Sequence, residues 1–385
     1  MSQFNQKNIS ITPQKIDAFI KAYTVSIESH NNVLCTSIAF NNINDIILIN
    51  NFINIITTQF IVLETLVIFD CMITVLPDSI EKLTKLTTLT LYKFANLTVL
   101  PVSIGNLTQL TKLDLYGCKA LTILPESIGK LTQLKALSLG DCTKLTELPK
   151  TIGNLTQLIN LALFNCKVLT ILPESIGKLT KLTSLDLQSC ASLTVLPEEI
   201  GNLTQLEYLH LGQCASLINL PDVIGKLTKL KTLSLLGCKA LTILPDTIAQ
   251  LTQLSMIFIN DCNSLSQLPT NLWLLTYLRY LHMDDKHKYI ITNWEILYLL
   301  PLVTINNADA TTYLAKIENA PIESIYNKPI KNFVMPFNEY NVENVATPEQ
   351  NKLPYSLDPD KSIQQQIGIF IELRTRLKSI LQYYK

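Results

Sequence analysis

Residues 131–154 read L-T-Q-L-K-A-L-S-L-G-D-C-T-K-L-T-E-L-P-K-T-I-G-N, and this stretch decides the architecture. Its Leu148-Pro149 pair recurs at Leu76-Pro77, Leu100-Pro101, Leu124-Pro125, Leu172-Pro173, Leu196-Pro197, Leu220-Pro221, Leu244-Pro245 and Leu268-Pro269, always at an interval of 24 residues. Cysteine keeps the same interval from Cys118 through Cys142, Cys166, Cys190, Cys214 and Cys238 to Cys262. A period of this length marks structural units that complete their cores by stacking on one another.

Within the quoted unit, Leu137 and Leu139 alternate with Ala136, Ser138 and Gly140, the period of two that a half-buried strand requires. Leu137 and Leu139 then face the core, and their neighbours face out. Beyond the strand, Cys142, Leu145, Leu148, Ile152, Leu155 and Leu158 point inward at steps of three or four. Pro149 and Gly153 restrict this return arm to short helical or 3₁₀ turns. The expected fold class is therefore α/β: a curved solenoid with a parallel sheet on its concave side and short helical or 3₁₀ turns on its convex side. Ten strands are expected, beginning near Leu63, Leu86, Leu110, Leu134, Leu158, Leu182, Leu206, Leu230, Leu254 and Leu278.

The unit L-x-x-L-x-L-x-x-C-x-x-L-T-x-L-P-x-x-I-G-x-L-T-x-L closely resembles the intracellular leucine-rich repeats of plant disease-resistance proteins and their bacterial or protist relatives. That resemblance covers residues 63–286 and implies recognition of a protein partner on the concave strands. It implies no ATP switch, because 62 residues leave no room for the nucleotide-binding module that precedes the repeats in plant receptors. Repeated Leu-Pro is also similar to host-directed bacterial repeat effectors, whose units are shorter and lack the Cys column.

Three segments follow from the period. Residues 1–62 are an N-terminal cap, with a helix starting at Thr12-Pro13 that carries Ile16, Phe19 and Ile20 on one face. Cys35, Ile38, Phe40 and Ile43 fit a degenerate earlier strand. Residues 63–286 hold about ten repeats of 24 residues, and Lys286 breaks the Cys column. Residues 287–385 lose the period and read as a mainly helical and irregular segment. Helices are expected at Trp294–Leu300, at Ala308–Ile317, and after the Ser362/Gln365 capping box through Ile363, Ile367, Phe370, Leu377, Leu381 and Tyr384.

The balance of charges narrows the function classes. Lys+Arg and Asp+Glu both number 31, so nothing in the net charge favours nucleic acid or an anionic membrane. The stretch from Ile46 to Phe69 is broken by Asn50, Asn51, Asn54 and Glu64, which argues against a spanning helix. The N-terminus shows no secretory pattern of a basic start and an apolar run. The seven cysteines in register form a line with one thiol per layer, whereas metal ligands converge on a point. Their expected role is a buried, reduced ladder, which places the chain in a reducing compartment.

The Gly-Lys-Leu-Thr runs at Gly129, Gly177 and Gly225 lack the first Gly and the Ser/Thr after Lys of a phosphate-binding loop. His210 and His282 share a column three layers apart, too far to hold one ion. No Ser/His/Asp or Cys/His set converges. No cofactor, no metal and no enzymatic activity are therefore expected.

The outward strand columns name the candidate binding surface. Mid-array they carry Ala136, Ser138, Gly140, Ser184, Asp186 and Gln188; toward the C-terminal end they become Tyr208, His210, Leu236, Met256, Phe258, Tyr280 and His282. Those seven residues are the expected partner-binding set, because the inward columns already supply the core and an interface centre favours rigid aromatics. Phe69, Tyr92 and Tyr116 form a smaller second row, open to cover by the N-terminal cap. The reading is a cytoplasmic interaction protein that binds a protein partner. The alternative is a bacterial-type effector, secreted into a host cell by a non-classical route, whose C-terminal segment acts on a host protein.

Overall fold

The computed structural model describes residues 8–11, 37–41, 63–269, 272–275, 277–284 and 304–305. The chain divides into two compact units, Met1–Asp284 and Asp285–Lys385. In the first, strands β1 (Asn8–Ile11), β2 (Ser37–Asn41), β3 (Thr65–Phe69) and β4 (Thr88–Tyr92) lead into eight three-residue strands. These are β5 (Lys112–Asp114), β6 (Ala136–Ser138), β7 (Asn160–Ala162), β8 (Ser184–Asp186), β9 (Tyr208–His210), β10 (Thr232–Ser234), β11 (Met256–Phe258) and β12 (Tyr280–His282). All pair in parallel and in chain order, with a register that advances one repeat per strand: Leu113 opposite Leu137, Leu137 opposite Leu161, Leu161 opposite Leu185. In the second unit the described residues form the two-residue strand β13 (Thr304–Ile305).

The ten strands β3–β12 are the ten expected from the period. Two more, β1 and β2, continue the sheet into the segment expected to be a cap. Ile38 and Phe40 of the suspected degenerate strand lie in β2, paired with Leu66 and Ile68. The helix expected after Thr12-Pro13, the positions of Cys35 and Ile43, and the three helices expected beyond residue 287 all lie outside the described residues.

Each arm is built by its proline. Pro125, at φ −68° and ψ 147°, precedes the 3₁₀ turn Glu126–Lys130, and its carbonyl accepts the Ile128 N–H at 3.0 Å. The ring fixes φ near the value the turn needs, at a place where no N–H is required. Leu131 N–H then donates to Ile128 C=O and Leu134 N–H to Leu131 C=O, carrying the chain back to the next strand. Gly129 lets the arms stack closely, since a Cβ there would stand 2.5 Å from the Thr151 Cβ.

The turn out of each strand from β3 to β11 passes through the left-handed region at the residue before the Cys position. Asp141 (φ 60°), Asn165 and Gly117 suit that geometry; Lys93, Ser189 and Gln213 adopt it as well. The conformation aims the N–H of this residue at the next layer, as in Asp141 N–H to Phe164 C=O at 2.7 Å. On the return arm a threonine ladder repeats the linkage in the other direction: Thr122 N–H donates to Thr98 C=O and Thr146 N–H to Thr122 C=O.

The core is one continuous column of inward residues. Leu134, Leu139, Cys142, Leu145, Ile152 and Leu155 are all fully buried, and the layers beginning at Leu110, Leu158, Leu182, Leu206 and Leu230 repeat the set. Each thiol from Cys118 to Cys262 donates to a strand-end carbonyl of the preceding layer, for example Cys142 to Leu115 at 3.4 Å and Cys190 to Leu163 at 3.2 Å. The cysteine is thus a small apolar filler with one donor, aimed at a strand-exit carbonyl that already accepts the Cys N–H of its own layer, as Leu115 C=O does from Cys118 at 3.2 Å, and has a second lone pair to offer.

This column predicts a strongly asymmetric mutational response. Leu185→Ala, at a fully buried site in mid-array, should cost about 2–5 kcal/mol through lost burial and the cavity left behind. Ser184→Ala, one residue away and facing out, should stay within about 0.5 kcal/mol. Denaturant midpoints of the two variants check the pair; similar losses would contradict the assigned facing.

Candidate partner-binding face

The outward residues of each strand stand in three columns set by the parallel register. One runs Thr88, Lys112, Ala136, Asn160, Ser184, Tyr208, Thr232, Met256 and Tyr280. A second, two residues on, runs Thr90, Asp114, Ser138, Ala162, Asp186, His210, Ser234, Phe258 and His282. The third lies at the strand exits and includes Phe69, Tyr92, Tyr116, Gly140, Phe164, Gln188, Gly212 and Leu236.

Four of the seven expected binding residues form one cluster. Met256 sits opposite Tyr280, and Phe258 opposite His282, on the paired strands β11 and β12. The Phe258 and His282 rings stack at 4.7 Å with 7° between planes, and Tyr280 lies near-parallel to His282 at 6.4 Å. Tyr280 is 41% exposed. Burial against these rings pushes the His282 imidazole below its ordinary pKa, so it stays neutral and stacks as an aromatic ring. Tyr208, 39% exposed, and His210 stand on β9, separated from the cluster by the small residues Thr232 and Ser234 of β10. Leu236 is half-buried in the strand-exit column, two residues beyond Ser234.

The second aromatic row is longer than the sequence suggested. Phe69 meets Tyr92 edge-on at 5.8 Å, Tyr92 stacks on Tyr116 at 4.9 Å, and Tyr116 meets Phe164 at 5.6 Å. Phe164 lies two repeats from Tyr116, and its ring closes the gap by lying over Gly140, where any Cβ would collide with it. The signal was present in the sequence: a glycine in an otherwise aromatic column marks where a neighbouring ring leans over.

Beside the Tyr116–Phe164 end of that row, on strands β5–β8, the face sinks into a hollow of about 190 Å³. Its floor is made by small outward residues, Ala136, Ser138 and Ala162, with Asn160 at the side, Lys112 at one end and Asp186 at the other. The sequence shows Ala136 and Ser138 only as small outward residues; the hollow emerges from the relief between neighbouring columns.

No group of three or more His, Cys, Asp or Glu able to hold a metal occurs among the described residues. No described helix is long and apolar enough to cross a membrane. Burial pushes the Cys118, Cys190 and Cys238 thiols up to about 12, and those of Cys142, Cys166 and Cys214 higher still, the opposite of what a reactive thiolate needs.

The repeat register, the proline-initiated arms and the column of inward leucines define a leucine-rich repeat solenoid. A family model described as a leucine-rich repeat region matches residues 117–211 and 185–327, more than half of the chain. The protein belongs to that family, whose domains generally serve as scaffolds for protein–protein interaction. Similar solved structures include a leucine-rich repeat protein of Leptospira interrogans, 26% identical, covering 71% of this chain and 90% of that one at a TM-score of 0.37. The leucine-rich repeat domain of the type III effector XopL is 30% identical, over 60% of this chain and 78% of that one, at a TM-score of 0.49. A TDR receptor is 20% identical, over 69% of this chain and 54% of that one, at a TM-score of 0.42. No curated protein matches significantly.

Proposed function

We propose that this chain is a cytoplasmic interaction protein that binds a protein partner on its strand face, anchored by Tyr208, His210, Leu236, Met256, Phe258, Tyr280 and His282. One observation carries the reading: two tyrosines and a stacked Phe258–His282 pair occupy outward positions of strands whose inward residues, Leu209, Ile257 and Leu281, are already buried. Exposed aromatics in register bury area at low entropic cost when a partner arrives. The cytoplasmic location is supported by the unoxidised thiol column, which suits a reducing compartment. The Cys in the strand-exit position also favours a relation to the intracellular disease-resistance type of repeat. The balanced charge of the chain favours a protein over a nucleic acid or an anionic membrane.

Tyr208→Ala with Tyr280→Ala tests the reading. Both side chains are well exposed, so the change should leave stability within about 0.5 kcal/mol. Partner capture by the full-length protein should fall at least about tenfold, as expected where two interface anchors are removed. Capture that persists undiminished in the folded variant would refute the assignment.

A further inference from the structure

The hollow at the middle of the sheet has opposite charges at its two ends. Lys112 is exposed on β5, Asp186 is half-buried on β8, and the floor between them is made of small uncharged side chains, with Ala136 and Ala162 at its centre. Neither has an oppositely charged group within ion-pair distance among the described residues, where the ion pairs are Lys119–Asp141 and Lys231–Glu207. Asp186 is held in place by its own strand exit: Oδ1 accepts the Gln188 N–H at 3.0 Å, so the carboxylate is oriented before any ligand arrives. An oriented carboxylate and an unpaired ammonium facing one depression form a dipolar receptor.

The spacing selects the ligand. Lys112 and Asp186 stand three layers and two strand positions apart, roughly 14 Å along the stacking direction and about 7 Å along the strand, a diagonal of about 16 Å that falls within the reach of long charged side chains. An extended polypeptide rises about 3.4 Å per residue, so side chains i and i+4 lie on one face about 14 Å apart, with i+2 midway between them. Residue i+2 would then lie over Ala136 and Ala162, where the hollow has room for one aliphatic side chain. Ser138 and Asn160 supply polar groups beside the segment's backbone.

We infer that the hollow is a docking slot for an extended segment of the pattern acidic–x–aliphatic–x–basic, laid across the strands with its acid at Lys112 and its base at Asp186. Either chain direction satisfies this requirement. The inference rests on the strand face being the binding surface, and adds a polar selector distinct from the C-terminal aromatics.

Three fluorescent heptapeptides test it against the full-length protein: Gly-Glu-Ser-Leu-Ser-Arg-Gly, and versions with Glu or with Arg at both charged positions. The wild-type chain should prefer the mixed peptide by about tenfold, in line with charge complementarity as a source of specificity. Lys112→Glu should shift the preference to the doubly basic peptide, and Asp186→Lys to the doubly acidic one. Both sites face outward, and circular dichroism would confirm that the variants are folded. Phe258→Ala with Tyr280→Ala should leave peptide preference unchanged. Preferences that ignore the two charge reversals, or no binding of any peptide at millimolar concentration, would overturn the slot. Peptide binding lost only in the aromatic variant would remove the slot while leaving the strand-face reading in place.

Discussion

Cys190→Asp should unfold the middle of the array. Cys190 is fully buried, and its thiol donates to the Leu163 carbonyl at 3.2 Å. An ionised aspartate would turn a carboxylate toward that carbonyl, with no cation within the layer to receive it. A buried charge without a partner costs several kcal/mol, and protonating it to avoid the charge has its own cost at neutral pH. Each layer is also the template for the next, so failure at one position removes the neighbour contacts on both sides. The expected result is a loss of about 3–5 kcal/mol or more. Cys190→Ala should cost only about 1–2 kcal/mol, for one hydrogen bond and a small void. Denaturant unfolding of the two variants decides it; equal midpoints would show that the column is not the dry ladder described.

A second large effect should appear in alkali. Thiols are neutral when protonated, and in the unfolded chain they ionise near pH 9.0. In the folded chain, desolvation pushes Cys118, Cys190 and Cys238 up to about 12, with Cys142, Cys166 and Cys214 raised further. The stability they contribute is therefore fully present below about pH 9 and is lost as pH rises toward 12 and beyond, because the unfolded state releases protons that the folded state retains. Each thiol contributes roughly 1.4 kcal/mol per pH unit in that window. Six acting together give a slope of about 8 kcal/mol per pH unit, enough to unfold a domain of ordinary stability within one to two units. Midpoints measured between about pH 8 and pH 10.5 should fall steeply, and replacing three of the six by alanine should halve the slope. A flat profile would mean that the thiols ionise as easily folded as unfolded.

The solenoid was readable because its determinants are one-dimensional. A unit that touches only its neighbours must repeat its inward residues at a fixed interval, so Leu-Pro and Cys at 24-residue steps give strand, arm and register together. Strand β1 escaped because Asn8–Ile11 carries no Leu-Pro or Cys to keep the beat, whereas the alternation of Ile38 and Phe40 marked β2 as a degenerate strand. The left-handed turn was legible at Gly117 and Gly237 and hidden at Lys93 and Gln213, where hydrogen bonding to the next layer overrides residue preference.

The binding face was only partly legible, for a related reason. Large residues such as Tyr208 and Tyr280 announce themselves in an outward column. Relief does not: the hollow between Lys112 and Asp186 exists because the two intervening layers carry Ala136, Ser138, Asn160 and Ala162, and each looks unremarkable alone. Phe164 was passed over for the same reason. Its ring belongs to its neighbour's layer, leaning across Gly140 toward Tyr116, and a column-by-column reading assigns it to the wrong place.

The most direct test of the account is a hydroxyl-radical footprint of the full-length protein with and without its captured partner. Oxidation at Tyr208, Met256, Phe258 and Tyr280 should fall when the partner is bound, while the exposed flank residues Val102 and Ile171 react as before. Protection of the flank with an unchanged strand face would contradict the central claim.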